Sequence, residues 1–384
     1  MLLLEHDAKE IARDKGVRIP QGVFVARDTV GDLDLLGRGP WVVKAQVGVG
    51  GRGKAGGVGF ADTPDAVAAF IRANADATIK GHRIAGFRVE EKVSFRHEVY
   101  LSFMVDAASR GIRLLLSAQG GVDVEANAHQ ADAMLTAVAP PGLGALVAAG
   151  ENLIPALPEA LRAPVRSAVA ALAQMFLALD ATLLEVNPLF VLADGSWVAG
   201  DMKLGVDESA FARQPALEAA VRARPDAYPE ANFKLDHDFD YVRINPHGQI
   251  GLLTTGAGLS MMLIDEMLQA GRQPFNFCDV RTGLLRGSPQ RLIDVLRQFT
   301  QGDEISVVFV NIFAGITDLG EFADLLLQAL DAVPELEVPV VARLIGNNFE
   351  GAKARLARSG RPITLEMELD KALRLAVAQV GAAA

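Results

Sequence analysis

The sequence predicts a two-domain α/β protein with a parallel sheet in its C-terminal part. Its 384 residues exceed the size of one typical domain, and 50% hydrophobic with 22% charged residues is an ordinary globular composition. Short apolar strands alternate with helical patterns after residue 249, and the strands are predicted at 250–255, 275–280, 305–312, 338–344 and 362–365. Such alternation is typical of a parallel sheet covered by helices on both faces, with ligands at the carboxyl ends of the strands.

Charge and cysteine content exclude several classes of protein. The net charge is −10, with no long basic run, which argues against nucleic acid or an anionic membrane as the main partner. The single cysteine, Cys278, excludes an intrachain disulfide and a cysteine metal cluster. Glu5 interrupts the apolar start too early for a signal peptide, and no apolar stretch reaches about 18 residues. We therefore expect a cytoplasmic protein without a membrane span.

The N-terminal part mixes helical and strand patterns. A helix is predicted over 5–15, where Ala8, Ile11 and Ala12 share one side and Gly16 takes the position after the helix end. An Ala/Leu-rich helical segment covers 156–180. Strands are predicted at 41–47, 87–92, 99–105, 113–118, 183–192 and 197–202. Residues 205–240 are polar, contain prolines and show little periodicity, so they are predicted to form a linker.

A glycine-rich segment follows the strand at 41–47. Gly48 to Lys54 has the G-x-x-x-x-G-K spacing, but Ala55 replaces the metal-binding Ser or Thr of a phosphate-binding loop, and the glycines after it cannot start the required helix. What remains is a segment rich in backbone N–H groups, with Arg52 and Lys54 in it, which suits a triphosphate. The alternative is a plain turn with solvated charges. Lys44 lies in an otherwise apolar strand and needs a partner if it is buried.

A hairpin brings together the candidate metal ligands. Glu185 and Asn187 share one face of a strand. If the turn at 193–195 has three residues, residue 187 pairs with residue 201, and Asn187 and Asp201 are cross-strand neighbours. A two-residue turn would instead put them on opposite faces of the hairpin, unless the strand had a bulge at Pro188. Amide and carboxylate oxygens together with phosphate suit Mg²⁺. The alternative is that both are ordinary turn-forming residues.

Other polar groups give weaker signals. Glu90, Glu91 and Glu98 surround a strand and, taken alone, are typical of solvated carboxylates. Two segments, 254–259 and 311–317, each follow a strand and open a helix, so they are candidate anion sites, with glycine packing as the alternative. The six histidines are scattered and form no catalytic pattern.

Several motifs in one order along the chain resemble the β subunit of succinyl-CoA synthetase (succinate–CoA ligase), including the malate–CoA ligase β subunit. The segments that carry the resemblance are 5–9 (EHDAK), 41–47 (WVVKAQV), 50–57 (GGRGKAGG), 120–125 (GGVDVE), 185–189 (EVNPL), 203–205 (KLG), 256–259 (GAGL), 311–316 (NIFAGI), Arg343 and 346–348 (GNN). The resemblance implies an ATP-grasp domain over 1–235 and a flavodoxin-like CoA-ligase domain over 236–384.

The resemblance also implies site residues. ATP binding is expected at Lys44, Gly51, Arg52, Gly53, Glu90, Val93 and Glu98, and Mg²⁺ binding at Asn187 and Asp201. The organic acid is expected at Thr255, Gly315, Ile316 and Thr317. Glu185 is expected to face a phosphohistidine that a partner α subunit supplies, and CoA to attack the acyl phosphate formed from the acid.

The departures from the family pattern gather around the acid site. Thr255 stands where Asn is usual, and residues 281–284 (RTGL) stand where Gly-Gly-Gly-Ala is usual. Arg281 therefore adds a cation near the expected acid site, which favours a hydroxylated, branched or sulfonated short acid beside succinate and malate. Two other functions stay open at this point: a stand-alone ATP-grasp ligase that joins a carboxylate to an amine, and a non-catalytic nucleotide-binding relative.

Overall fold

The computed structural model describes residues 1–28, 39–121 and 134–382. The chain divides into two compact units, Met1–Ala227 and Tyr228–Ala384. The domain boundary predicted between residues 235 and 236 stays a prediction, and in the structure both residues belong to one helix of the second unit. Residues 122–125 of the glycine motif at 120–125, and also His129, lie outside the described residues.

The first unit is built from helices, two large antiparallel sheets and a two-stranded hairpin. Its helices are α1 (Glu5–Asp14), α2 (Pro64–Asn74), α3 (Leu143–Leu153), α4 (Glu159–Ala178) and α5 (Pro215–Arg222). Its strands are β1 (Gly22–Ala26), β2 (Trp41–Gln46), β3 (Val58–Ala61), β4 (Thr78–Ile79), β5 (His82–Arg83), β6 (Gly86–Glu91), β7 (His97–Asp106), β8 (Gly111–Ser117), β9 (Leu135–Ala139), β10 (Ala181–Val191), β11 (Trp197–Ala199) and β12 (Met202–Val206). Gly16, with φ of 81°, follows α1 as predicted.

The sheets of the first unit position the candidate residues. One sheet has the strand order β1-β6-β2-β3, and its core contains Val43, Phe87 and Val89, all fully buried. The other has the order β11-β10-β7-β8-β9, and β12 also pairs with β10. Phe103 of β7 packs near Phe176 of α4, with ring centroids 6.0 Å apart. Lys44 and Glu90 therefore belong to one sheet, and Glu98 and Glu185 to the other.

The second unit contains the parallel sheet. Its helices are α6 (Pro229–His237), α7 (Ala257–Gln269), α8 (Gln290–Phe299), α9 (Leu319–Asp331), α10 (Phe349–Arg358) and α11 (Leu369–Ala382). Its strands are β13 (Asp240–Arg243), β14 (Ile250–Thr254), β15 (Asn276–Asp279), β16 (Val307–Asp318), β17 (Val340–Asn347) and β18 (Ile363–Leu365). One apolar cluster contains Phe299 and Phe322, and another contains Leu263 and Ala372, so both faces of the sheet are covered as predicted.

The predicted five-stranded parallel sheet has four strands in the described structure. Their order is β14-β16-β17-β18, and β15 pairs instead with β13 in antiparallel fashion. The side chain of Asn276 explains the difference, because its amide accepts from the N–H of Leu252 (2.8 Å) and donates to the carbonyl of Leu252 (2.9 Å). Main-chain bonds remain on either side, from Phe275 to Ile250 and from Val280 to Thr254 (both 2.9 Å), so the side chain of Asn276 replaces only the middle of the ladder.

The prediction of a linker at 205–240 was wrong. This segment contains a 3₁₀ helix at Glu208–Arg213, the helices α5 and α6, and the start of β13. Pro215 and Pro229 stand at the first positions of α5 and α6, where proline is compatible with a helix. Leu217 and Val221 are fully buried, so packing stabilises the short helix α5.

The segment 311–317 also differs from the prediction. It does not form a loop that opens a helix; β16 continues through it to Asp318, and α9 begins at Leu319. Asp318 caps α9 by accepting from the N–H of Glu321 (3.0 Å). Of the helices in the described ranges, none is long and apolar enough to cross a bilayer.

Candidate functional site

Lys44 is a buried lysine with the partners that its position on β2 requires. Its Nζ lies 3.0 Å from Oε1 of Glu5 and 2.7 Å from Oε1 of Glu90. It also donates to the carbonyl of Gly200 at 2.7 Å. Burial alone would lower the pKa of Lys44, but Glu5 and Glu90 outweigh burial and raise it well above its usual value. The expectation that a buried Lys44 has a partner is therefore confirmed, and its charge is fixed in place.

Four further charged side chains surround Lys44, and together the five form what we call the charge cluster: Glu5, Lys9, Lys44, Arg88 and Glu90. Lys9 is fully buried, and its Nζ lies 2.7 Å from Glu5 and 2.8 Å from Glu90. Nε of Arg88 donates to Glu90 at 2.7 Å. Burial raises the pKa of Glu90, but Lys44 and Lys9 dominate and lower it. Glu90 is thus a buried carboxylate that binds three cations, and the interpretation as a solvated group does not apply to it.

His6 is a neutral histidine at the edge of the charge cluster. Its Nδ1 lies 2.8 Å from Nη1 of Arg88. Because a guanidinium only donates, Nδ1 is the acceptor and the ring proton belongs to Nε2. Burial, followed by the charge of Arg88, lowers the pKa of His6 to about 3. This imidazole is therefore held uncharged by its surroundings.

The glycine loop, residues 48–57, ends in a tight turn. The carbonyl of Arg52 accepts from the N–H groups of Ala55 (3.1 Å) and Gly57 (2.9 Å). Gly51 has φ of 88°, which favours glycine. Within the described part of the chain, the N–H groups of residues 50–54 donate to no acceptor. The loop leads into β3 without a helix, as predicted, and offers a run of free backbone donors.

Arg52 connects the glycine loop to the charge cluster and to the hairpin. Its Nη2 lies 2.7 Å from Oδ2 of Asp201 and also forms a short ion pair with Glu5. Burial would lower the pKa of Arg52, but Asp201 and Glu5 raise it further above its usual value. The structure thus brings the glycine loop and the predicted metal ligand Asp201 into direct contact.

The hairpin has the predicted register. Leu192 donates to the carbonyl of Ser196 (2.8 Å), Leu189 pairs with Ala199, and the N–H of Asn187 donates to the carbonyl of Asp201 (3.1 Å). The side chain of Asn187 accepts from the N–H of Gly121 at 2.6 Å. The two residues are cross-strand neighbours, with Asn187 bound to Gly121 and Asp201 bound to Arg52.

Glu98 lies on β7, which pairs with β10 of the hairpin, and Val93 follows β6 of the other sheet. A Cβ built on Gly121 would lie 3.1 Å from Oε2 of Glu98, so Glu98 approaches the residue that binds Asn187. Partial burial raises the pKa of Glu98. Val93 follows the end of β6, and its main-chain groups bond to no other residue that the structure describes. Its N–H and C=O are therefore available to a ligand.

Glu185 is half-buried between two polar neighbours. Tyr100 donates to its Oε2 at 3.3 Å, and Nζ of Lys203 lies 3.5 Å from its Oε1. Nζ of Lys203 is also 3.4 Å from the position of a Cβ on Gly50. Glu185 therefore belongs to the surroundings of the glycine loop.

Sequence reasoning missed several residues of this site: Glu5, Lys9, Lys80, Arg88 and Lys203. Lys80 lies beside Gly51, as Lys203 lies beside Gly50. The spacing of Glu5 and Lys9, one helical turn apart next to the apolar side of α1, was the signal available for that pair. Nothing in the local pattern signalled Lys80.

In the second unit, three segments meet at the carboxyl edge of the sheet. The N–H of Thr255 donates to the carbonyl of Asn311 (3.3 Å). One oxygen of Asp279 accepts from the N–H groups of Gly256 (2.9 Å) and Arg281 (3.2 Å). Thr317 and Thr282 are joined by a hydroxyl hydrogen bond of 3.0 Å. The three segments that carry the predicted acid-site residues are thus joined by these bonds, and Gly315 and Ile316 of the third segment are exposed.

Arg281 is not a free cation at this edge. Its Nη2 lies 2.7 Å from Oδ2 of Asp240, and Asp238 lies 4.0 Å from Nη1. The Lys234 ammonium also contacts Asp240, at 2.7 Å. The charge that was expected to face the acid is therefore neutralised by residues of the second unit.

Comparisons with known proteins agree with the resemblance. The family model for the ATP-grasp domain matches residues 2–191, and the CoA-ligase model matches residues 253–377. The chain is similar to the succinate–CoA ligase (ADP-forming) β subunit of Chloroflexus aurantiacus, with 37% identity over 365 residues, 94% of each chain. It is 32% identical over 390 residues to the protein of the same name from Ralstonia nicotianae, covering 98% of this chain and 99% of the other.

Solved structures with the same fold include two ATP citrate lyases. ATP citrate lyase from Methanothrix soehngenii, in complex with citrate and coenzyme A, has a TM-score of 0.77 and 19% identity, covering 98% of this chain and 99% of the other. The D541A variant of the Methanosaeta concilii ATP citrate lyase has a TM-score of 0.75 and 18% identity over the same shares. The family models confirm the predicted order of an ATP-grasp domain followed by a CoA-ligase domain with a parallel sheet.

Proposed function

Because the chain belongs to the family of ADP-forming succinate–CoA ligase β subunits, and is thus a subunit of an acid–thiol ligase, we propose that its first unit binds ATP with Mg²⁺. This unit then passes the γ-phosphoryl group to a histidine of a partner α subunit. The second unit contributes to the site where that phosphoryl group activates a small carboxylic acid. Over the full cycle, ATP, acid and CoA give ADP, phosphate and acyl-CoA.

The phosphates of ATP would be bound by Lys44, Arg52 and the backbone of Gly51 and Gly53. The free N–H groups of the glycine loop support this assignment, because such donors approach phosphate oxygens closely. Glu90 is bound to three cations, so its part in ATP binding would be to position Lys44. The free main chain of Val93 suits the adenine edge, and Glu98 would accept from ribose hydroxyls.

Asn187 and Asp201 fit a magnesium ion. An amide oxygen and a carboxylate are hard donors of the type that Mg²⁺ binds together with phosphate and water. Asp201 already contacts a cation, the Arg52 guanidinium, so this carboxyl group is within reach of the glycine loop. When bound, the ion would neutralise phosphate charge during the transfer.

The acceptor histidine would come from the partner, with Glu185 facing it. His6, the histidine that touches the charge cluster, has its Nδ1 bound to Arg88 and is uncharged and buried, so it is not available as an acceptor. Tyr100 and Lys203 hold the Glu185 carboxylate in place. This carboxylate could then orient the ring of an incoming histidine through a hydrogen bond.

The acid would bind at Thr255, Gly315, Ile316 and Thr317, and candidate acids are succinate, malate and related short acids. Thr255 and Thr317 supply hydroxyl groups at the edge where the three segments meet. Arg281 would contact the acid only if its ion pair with Asp240 opened. A preference for acids with an additional acceptor group would therefore indicate that the Arg281–Asp240 ion pair opens when the acid binds.

The contact between Arg52 of the glycine loop and Asp201 of the hairpin carries this proposal. The test is to co-express the chain with its cognate α subunit and follow acid-dependent ADP release with ATP, CoA and a panel of short acids. Lys44→Met is expected to lower the rate about a hundredfold. Arg166→Gln, which breaks an exposed ion pair with Glu151, is the matched control and should leave the rate unchanged.

The other outcomes either indicate a different function or overturn the proposal. Turnover without the α subunit and without CoA would indicate a carboxylate–amine ligase. ATP binding with no phosphohistidine on the α subunit would indicate a non-catalytic nucleotide-binding subunit. A flat response to every acid would overturn the proposal.

A further inference from the structure

The tip of the β4–β5 hairpin places a lysine beside the glycine loop. Lys80 and Gly81 join the two strands, and their φ values of 51° and 81° are the two positive angles of a type I′ turn. Nζ of Lys80 lies 3.1 Å from the position that a Cβ on Gly51 would take. The ammonium group is therefore in van der Waals range of the loop backbone.

The packing of the hairpin fixes this position. Ile79, the residue before Lys80, is 3% exposed and belongs to the same core as Val43 and Phe87. A Cβ on Gly57 would lie 2.8 Å from Cδ1 of Ile79, so the hairpin and the end of the glycine loop are in direct contact. Lys80 thus follows a buried residue that packs against the glycine loop, and this packing holds the backbone of Lys80 near the loop.

The charge of Lys80 differs from that of Lys44, Arg52 and Lys203 at the loop. Lys44 and Arg52 are each paired with two carboxylates, and Lys203 is paired with Glu185. Among the residues that the structure describes, no carboxylate oxygen lies within 4.0 Å of Nζ of Lys80, although the neighbouring Arg83 reaches Asp76 at that distance. The free N–H groups of residues 50–54 and an uncompensated ammonium therefore lie together.

We propose that Lys80 binds a phosphate of the nucleotide that the glycine loop holds, and that it favours nucleoside polyphosphates over the unphosphorylated nucleoside. This inference rests on the proposed ATP binding. An ammonium is a compact point charge that donates to phosphate oxygens without fixed geometry. A charge-assisted bond at an exposed site is worth about a tenfold change in affinity.

Titration calorimetry with the full chain and its α subunit tests the inference. Lys80→Gln is expected to weaken ATP and ADP binding about tenfold, to leave the affinity for adenosine, measured by competition with ATP, unchanged, and to reduce the salt dependence of ATP binding. Lys80→Arg should recover most of the loss. Arg83→Gln removes a cation from the same hairpin and is the matched control, with wild-type affinity expected.

The outcomes separate this inference from the proposed function. Wild-type ATP binding combined with an unchanged affinity in Lys80→Gln would overturn the role of Lys80 alone. An equal loss for adenosine and ATP would also overturn it, because it would mean that the hairpin was disturbed. If the wild-type complex binds no ATP, the proposed function fails and the role of Lys80 fails with it.

Discussion

Replacing Glu5 with glutamine tests whether the charge cluster holds α1 to the first unit. The Glu5 carboxylate is 3% exposed, lies 2.7 Å from Lys9 and 3.0 Å from Lys44, and forms a short ion pair with Arg52. Burial alone would raise the pKa of Glu5, but Arg52, Lys44 and Lys9 dominate and lower it well below its usual value. The charged form is therefore the form that the fold stabilises. Glutamine keeps the shape and removes the charge.

The expected cost is about 3 kcal/mol. Removing one member of a buried ion pair costs roughly 3–5 kcal/mol when the partner is left uncompensated. In Glu5→Gln, Lys9 and Lys44 still have Glu90 as an ion-pair partner, and Arg52 still has Asp201. The loss of stability is therefore expected at the lower end of that range. For a unit of this size, about 3 kcal/mol lowers Tm by roughly 6–12 °C.

Urea unfolding followed by tryptophan fluorescence measures this cost in the first unit alone. The chain has two tryptophans, Trp41 and Trp197, and both belong to Met1–Ala227. The matched control is Glu151→Gln, which removes the same charge from an ion pair whose side chains are 40% and 51% exposed. That exposed pair should be worth less than about 1 kcal/mol.

The pH dependence gives the prediction a second check. Because the pKa of Glu5 is lower in the folded state than in the unfolded chain, its contribution is present above about pH 4.5 and is lost as the pH falls through the folded value. The difference between wild type and Glu5→Gln should therefore shrink in acid. A cost below about 1 kcal/mol at pH 7, or one equal to that of Glu151→Gln, would refute the reasoning.

Two further predictions concern His6 and Asn276. The folded pKa of His6, about 3, lies below its unfolded value of 6.5, so the contribution of His6 to the free energy of unfolding is full above pH 6.5 and falls toward pH 3. The fall is at most about 1.4 kcal/mol per pH unit. His6→Asn should remove this slope from urea unfolding between pH 7 and 5, whereas the control His82→Asn, at an exposed histidine, should keep it. Asn276→Leu leaves the N–H and C=O of Leu252 without their side-chain partner, at a cost of about 3 kcal/mol in stability. Protection of the amides of 250–255 from hydrogen exchange should therefore drop about a hundredfold. Unchanged protection would contradict the role of the Asn276 side chain.

Local patterns predicted the elements whose geometry depends on neighbours in sequence. The hairpin register followed from the three-residue turn, because strand residues alternate with period two and the turn length then fixes every partner. Gly16 after α1 is a similar case. The cross-strand pair of Asn187 and Asp201 could therefore be named before its contacts were visible.

Contacts between distant residues could not be predicted in the same way. Lys9 and Glu90 are 81 residues apart, and Lys9 and Gly200 are 191 apart. In the sequence, a charged residue on a helix is typical of a solvated face, so only the fold shows that Lys9 is buried. The linker prediction failed for a related reason, because α5 is too short to be stable without tertiary packing.

The proposed nucleotide site gives a physical reason for the buried ions of the charge cluster. Lys44 is held by two carboxylates and the carbonyl of Gly200, so it stays charged and immobile before any phosphate arrives. A cation positioned in this way need not reorganise during a transfer, and such preorganisation is a main source of electrostatic catalysis. Burying the ions costs free energy when the protein folds, and that cost does not recur with each catalytic cycle. Weakening the cluster through Glu5 should therefore reduce stability and phosphate binding together, whereas removing Lys80, which no carboxylate in the described structure holds, should reduce binding alone.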